Sequence, residues 1–239
     1  MKKSMVALTI GLAIGCGFVN QSKAEEVSQM YPVAVSLAAP IQFPCAASDI
    51  YGFRFGGFFG AHHNMCGLDL GITELSTGTL TGLQLSAFSW TEGKVAGAQL
   101  GVLANVVRTD ATAFQLGLVN AVWGESRGVQ FGALNYNSEY TGIQLGALVN
   151  MNESTFAGLE IAPVNANQNE YFGAAFGLVN YGQKFSGFDL GIVNVAYDVT
   201  GVQLGLFNAC DTMHGVQIGL VNMICNSKLP IMVLANASF

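Results

Sequence analysis

The chain is poor in charge. Only 10% of its 239 residues are Asp, Glu, Lys or Arg, against a usual share of roughly a quarter. Nine residues are basic, and three of them (Lys2, Lys3 and Lys23) fall at the N-terminus. The six that remain cannot build the basic patch that phosphate recognition needs, and the net charge is −6. Nucleic acid is therefore excluded as a partner. Proline is also scarce, with 5 residues in the chain, which leaves long stretches free to pair as strands. After the N-terminal segment there is no apolar run of about 18 residues or more, so no later transmembrane helix is expected. There is no Gly-x-Ser-x-Gly elbow, no phosphate loop and no carboxylate pair in a distinctive context. No catalytic residue, cofactor or metal is expected.

What the chain has in abundance is glycine, at 30 residues, and apolar side chains, at 51%. Both follow one repeated unit. Gly201-Val202-Gln203-Leu204-Gly205-Leu206-Phe207-Asn208 recurs as Gly215-Val216-Gln217-Ile218-Gly219-Leu220-Val221-Asn222, and weaker copies begin at Gly52 and continue from there. The closing Asn marks the period. Asn105, Asn120, Asn135, Asn150, Asn165 and Asn180 are 15 apart, and Asn194, Asn208, Asn222 and Asn236 are 14 apart. A fixed short period is the signature of a repeat architecture. It divides the chain into a signal peptide at 1–24, an N-terminal cap or edge strand with a loop at 25–51, tandem repeats at 52–228, and a degenerate capping repeat at 229–239.

Residues 1–24 carry a basic start, an apolar stretch and a small-residue cleavage site at Ala24, so export is expected. A second reading cuts before Cys16 and attaches lipid there. Cleavage after Ala24 leaves Cys45, Cys66, Cys210 and Cys225. These form disulfides in an oxidising compartment or act as small buried hydrophobes.

Within a unit the pattern has period two, which defines a strand. Aliphatics hold the second, fourth and sixth positions, and Gly, Gln and Gly lie between them. Two all-β architectures accommodate this. In a β-solenoid each unit of 14–16 residues forms one coil, and like stacks on like. Gln130, Gln144, Gln203 and Gln217 then form one ladder, and Asn135, Asn150, Asn208 and Asn222 another. In this arrangement the aliphatics, and the residues after the polar tips (Tyr140, Phe156, Tyr171, Phe185, Val199, Met213), point inward. Gly, Gln, Asn and the tips, such as Asn137-Ser138-Glu139 and Asn152-Glu153-Ser154, point outward. The alternative is an antiparallel outer-membrane barrel of 13–14 strands. The copied unit is a single strand rather than a hairpin, and Phe239 falls on the face opposite Met232 and Leu234. Both observations favour the solenoid. Cys210 and Cys225, 15 apart, then lie on neighbouring coils and form a candidate disulfide.

The G-x-Q-x-G-L-x-N unit resembles a bacterial surface-repeat family, the leptospiral-type surface-repeat proteins and their relatives, over roughly residues 52–236. The resemblance implies an exported or surface-exposed protein and brings no catalytic or binding residue. Gly173-Ala174-Ala175-Phe176 departs from the unit by losing its Gln. His62-His63-Asn64-Met65-Cys66, with Asp69 nearby, is the one cluster of metal-ligand types, and it reads as an exposed loop between repeats. His214 reads as an exposed strand residue, and Asp110, Asp198 and Asp211 as solvated turn formers. Trp90, Trp123, Tyr136, Tyr140, Tyr171 and Tyr181 are candidates for an aromatic strip or for packing. The expected role is structural or adhesive, at the cell surface, outer membrane or periplasm of a bacterium. The sequence names no partner; envelope or host-surface components are the expected class, membrane association is compatible with this, and a pore-forming or structural barrel is the alternative.

Overall fold

A computed structural model describes residues 29–38 and 41–239; the segment 1–24, read above as a signal peptide, and Cys16 within it lie outside the described residues. The described chain is all-β and winds as a parallel β-solenoid of about 13 turns, not as a barrel. Each coil lays one strand on the strand one unit earlier, in like-on-like register. Gly187 faces Gly201, Asp189 faces Gln203, Asn194 faces Asn208, Gly201 faces Gly215 and Gln203 faces Gln217. This parallel register excludes the antiparallel barrel, because successive strands of a meander run in opposite directions.

One coil turns twice. Val193–Leu204 carries a strand through the first Gly and the Gln, the chain bends at Gly205-Leu206, and it continues through Phe207 and Asn208 in Phe207–Cys210. A second turn at Asp211 closes the coil. The first Gly of the unit is fixed by sterics. Gly201 has φ of 137°, and a Cβ there would sit 2.1 Å from the carbonyl oxygen of Gly187. No L-residue tolerates both conditions. The second Gly has a different cause: a Cβ on Gly205 would lie 2.7 Å from the Asn194 amide nitrogen, which fills the inside of the bend. An extra residue is absorbed at this same bend, where the register passes from Ser86↔Gly101 to Phe88↔Ala104.

The two ends are closed differently. Met30–Ala38 lies parallel to Asp49–Gly56 and antiparallel to the short Ile41–Phe43 strand. At the other end Ile231–Ser238 runs antiparallel to Thr212–Ile224. The last degenerate unit is therefore a reversed strand that covers the open edge, which limits edge-to-edge pairing.

The faces of the strand are opposite to the expectation for most positions. Gln84, Gln99, Gln115, Gln130, Gln144, Gln203 and Gln217 are buried, as are Asn105, Asn120, Asn135, Asn150, Asn165, Asn180, Asn194, Asn208 and Asn222. Asn137 and Asn152, assigned above to outward tips, are also buried. The aliphatics point out: Val102, Leu118, Leu148, Leu206 and Leu220 are each at least half exposed. Only the residues after the tips keep their expected place. Tyr140, Phe156, Tyr171, Phe185, Val199 and Met213 form an apolar core, with Tyr140 on Phe156 at 5.7 Å and Tyr171 on Phe185 at 5.0 Å between ring centroids. Ile50, Met65, Leu80, Val95 and Ala111 continue it toward the N-terminus.

Hydrogen bonding explains how a polar interior is tolerated. From Asn105 to Asn208 each Asn of this row donates through Nδ2 to Oδ1 of the Asn in the next coil, at 2.8–3.0 Å, and Asn222 ends the ladder. Nδ2 also donates to the next coil's backbone at the bend, as Asn208 does to Ile218 O at 3.0 Å. The Gln row runs the other way. Gln99, Gln115, Gln130 and Gln144 donate to Oε1 of the preceding Gln, at 2.7–3.1 Å. Two chains of amide dipoles therefore oppose one another across the core. Burial of an amide is costly only when its partners are missing, and bonds in series polarise and strengthen one another.

Candidate functional surface and buried polar clusters

With the amides turned inward, the outer surface is left to the other rows of the coil. Next to the Gln row stand Leu116, Ile161, Leu190 and Ile218, all exposed. Around the bend stand Leu118, Leu178, Ile192, Leu206 and Leu220, and beyond it Leu103, Leu134, Val179 and Phe207. These rows join across one corner of every coil, so the solenoid carries a continuous apolar edge. At about 4.8 Å per coil, it extends for roughly 60 Å. Between the rows on either side of the bend runs a groove of about 740 Å³, lined by residues such as Leu100, Val102, Leu116, Leu118, Phe131 and Leu145. The opposite corner is polar. Lys94 pairs there with Asp110 at 3.1 Å and Lys184 with Glu170 at 3.3 Å, and Thr212 donates to Asp198. The solenoid is thus amphipathic across its width.

The aromatic residues divide between surface and core. Trp90, Trp123 and Tyr136 form a partly exposed strip, with centroids 6.1 and 6.4 Å apart and Arg108 over Trp123 at 5.6 Å. Tyr140 and Tyr171 belong to the core, and Tyr181 stands on the surface outside these ring contacts. His214 is exposed, as expected.

Two interruptions of the amide ladders bury charge. The first is at the N-terminal end. There the Gln row continues as Asp69 and Arg54, and the Asn row as Ser89, Glu74 and Gly60. Arg54 Nη1 donates to Asp69 Oδ1 at 2.8 Å and to Glu74 Oε2, while Nη2 reaches Ser36 Oγ at 3.4 Å. The guanidinium occupies the space that a side chain at Gly60 would fill. His62 faces the same interior. His62 to Cys66 do not form the exposed loop expected: alternation sends His62 inward, while Cys66 is exposed and His63 meets Thr77 Oγ1 at 3.0 Å. Glu74 escaped sequence reading, although it stands where the period requires an Asn. The second interruption is Gln144–Glu160–Ala175–Asp189–Gln203, where Ala replaces an amide between two carboxylates. Burial pushes Glu160 up to about 8 and Asp189 to about 7. Asn167 donates to Glu160 at 2.6 Å.

The candidate disulfide is not formed. All four described cysteines are free. The register pairs Cys210 with Ile224, one residue short of Cys225. A slip of one residue turns a side chain to the other face, so Cys210 lies in the core and Cys225 is exposed. Burial also pushes the Cys210 thiol up to about 12. In the native protein a thiol-reactive disulfide reagent will label Cys45, Cys66 and Cys225 quickly. Cys210 will react only on denaturation, because the thiolate is the nucleophile. Fast labelling of four thiols, or an intact mass two hydrogens short, would contradict this arrangement.

Comparison with known proteins places the chain in no family: no family model matches it, and neither a curated protein nor a solved structure is detectably similar. The class defined by fold and surface is a parallel β-solenoid with an amide-filled interior and an apolar outer edge.

Proposed function

We propose that this chain is an exported, surface-associated repeat protein that works without catalysis, and that its apolar edge rests on a lipid surface. The observation that carries this reading is the uninterrupted set of outward rows from Leu116 to Leu118 and their equivalents along the stack. Exposed apolar patches above a few hundred Å² mark interaction surfaces. Two features favour lipid as the occupant. The edge repeats coil after coil along the stack, and a long apolar strip of this kind suits a deformable hydrocarbon phase. Its groove is lined by Leu, Val, Phe, Ala, Gly and Ile alone, so no polar side chain selects a polar ligand. The net charge of −6 makes neutral headgroups the better match. The sequence features of export and the resemblance to surface-repeat proteins support placement at the bacterial envelope.

Flotation with phosphatidylcholine vesicles tests this. The purified chain will rise with the vesicles at low and high salt alike. Leu118→Glu combined with Leu206→Glu will leave it at the bottom with its β-sheet circular dichroism unchanged. A wild-type chain that stays at the bottom as a defined dimer in light scattering would assign the edge to self-association and overturn the lipid reading. Recovery from the cytoplasm on fractionation would overturn export.

A further inference from the structure

The charged interruption at the N-terminal end does not balance. Asp69 and Glu74 bring two carboxylates into the interior and Arg54 brings one guanidinium, and all three are at most 2% exposed. If the carboxylates are ionised, the set carries one uncompensated negative charge in a place without solvent, a costly arrangement. Hydrogen bonding is also incomplete. Neither ring nitrogen of His62 has a partner, and Glu74 Oε1 has none. His62 is itself 1% exposed. A buried imidazole without one hydrogen bond is rare, since buried polar side-chain atoms are satisfied in the large majority of cases.

The unsatisfied atoms of His62 and Glu74 converge with Asp69, whose Oδ1 accepts from Arg54 and whose Oδ2 accepts from Gln84 Nε2 at 3.0 Å. One ligand atom each from His62, Asp69 and Glu74 lies within 4.8 Å of the others. His62 makes no direct hydrogen bond to either carboxylate. We propose that His62, Asp69 and Glu74 bind a divalent transition-metal ion of the zinc class through one imidazole nitrogen and two carboxylate oxygens. Zinc holds such donors at about 2.0–2.2 Å, which sets them roughly 3.4 Å apart in a tetrahedron. Side-chain rotations of about an ångström bring the three donors to that spacing. Arg54 stays beside Asp69 as the neighbour that offsets the second carboxylate. The donors come from Gly60–His62, Met65–Leu70 and Thr73–Ser76. The ion therefore ties two successive coils where the amide ladders have ended, and its role is that of a staple.

The test uses the full chain, unfolded and refolded either in chelator or with one equivalent of Zn²⁺. Refolding admits the ion to a site with no open path. The expected result is one zinc retained per chain after gel filtration, and a melting temperature higher than that of the metal-free protein. His62→Ala will retain at least tenfold less, whereas His63→Ala and Cys66→Ser will retain as much as the parent. Glu74→Gln, which keeps the shape and the contact to Arg54, will also lose the ion, so the outcome does not depend on one variant folding. Refolding with Co²⁺ will give a spectrum without thiolate charge transfer. A parent chain that retains no metal and melts identically in both preparations overturns the proposal. So does equal retention by His62→Ala, or a thiolate band that places the ion on Cys45 or Cys66.

Discussion

Asn150→Leu will cost about 3–5 kcal/mol, while Leu118→Gln will leave stability within about 0.5 kcal/mol of the parent. This reverses the usual expectation for a polar and an apolar residue. Asn150 accepts from Asn135 at 2.9 Å and donates to Asn165 Oδ1 at 3.0 Å. Leucine has the same branched arrangement of side-chain heavy atoms and is the larger residue, so no cavity opens. The substitution instead orphans a donor on Asn135 and an acceptor on Asn165, and each unsatisfied buried group costs about 1–3 kcal/mol. A third bond, to Ile161 O at 3.3 Å, is lost as well. Leu118 is 54% exposed and belongs to the outer edge, where an amide gains water rather than losing it. For a chain of this length the Asn150 effect corresponds to a fall in Tm of roughly 10 °C or more. The break lies mid-stack, and coils are coupled only to their neighbours, so the two halves will melt in separable steps. Equal Tm values for the two variants in thermal denaturation would show that the ladder carries no stability.

The same inversion shows what the sequence could and could not reveal. The period, the parallel stacking and the pairing of Gln203 with Gln217 and Asn208 with Asn222 all follow from copies recurring every 14–16 residues. Which face of the strand is inside does not follow from a period of two, which defines two faces without assigning either to solvent. The usual preference for apolar burial then chose the wrong one. A usable signal was present within the chain. Outward positions vary freely among Leu, Val, Phe, Ile and Ala, whereas the closing position is Asn in copy after copy from Asn105 on. Solvent does not demand one side chain, but a ladder whose every rung must donate and accept at a fixed height does. The same criterion marks the interruptions. Asp69, Glu74, Glu160 and Asp189 are charges in rows that elsewhere hold amides, so each had to be interior. Their convergence with His62 was not legible, because it depends on which rows face each other across the coil. The Cys210–Cys225 pairing failed for a simpler reason: in that coil the period is 14 rather than 15, and the spare residue moves Cys225 to the surface.

The second interruption makes stability depend on pH, and the sign follows from the direction in which burial moves the two carboxyls. Glu160 is raised to about 8, chiefly by burial, with Asn167 acting against the rise and Asp189 adding to it. Asp189 is raised to about 7, again chiefly by burial. Tyr171 lines the same small space, its hydroxyl without a partner and held protonated by burial and by these two carboxyls. Both carboxyls are therefore protonated in the folded chain at mildly acid pH, while in the unfolded chain they ionise at about 4. The folded state binds more protons over this range, so stability falls as pH rises. The contribution is complete below about pH 4, is lost as pH rises from there through about 7 and 8, and is level thereafter. Each tenfold difference in proton affinity between the folded and unfolded chain is worth about 1.4 kcal/mol, so the combined loss amounts to several kcal/mol. Glu160→Gln with Asp189→Asn removes both titrations and leaves every other ionisable group in place. The parent will lose Tm steadily between pH 5 and pH 8 in scanning calorimetry. The double variant will be flatter over that interval and more stable than the parent at its alkaline end. Parallel profiles for the two proteins would mean that these carboxyls are already ionised in the fold, and that water or a cation fills the space left by Ala175.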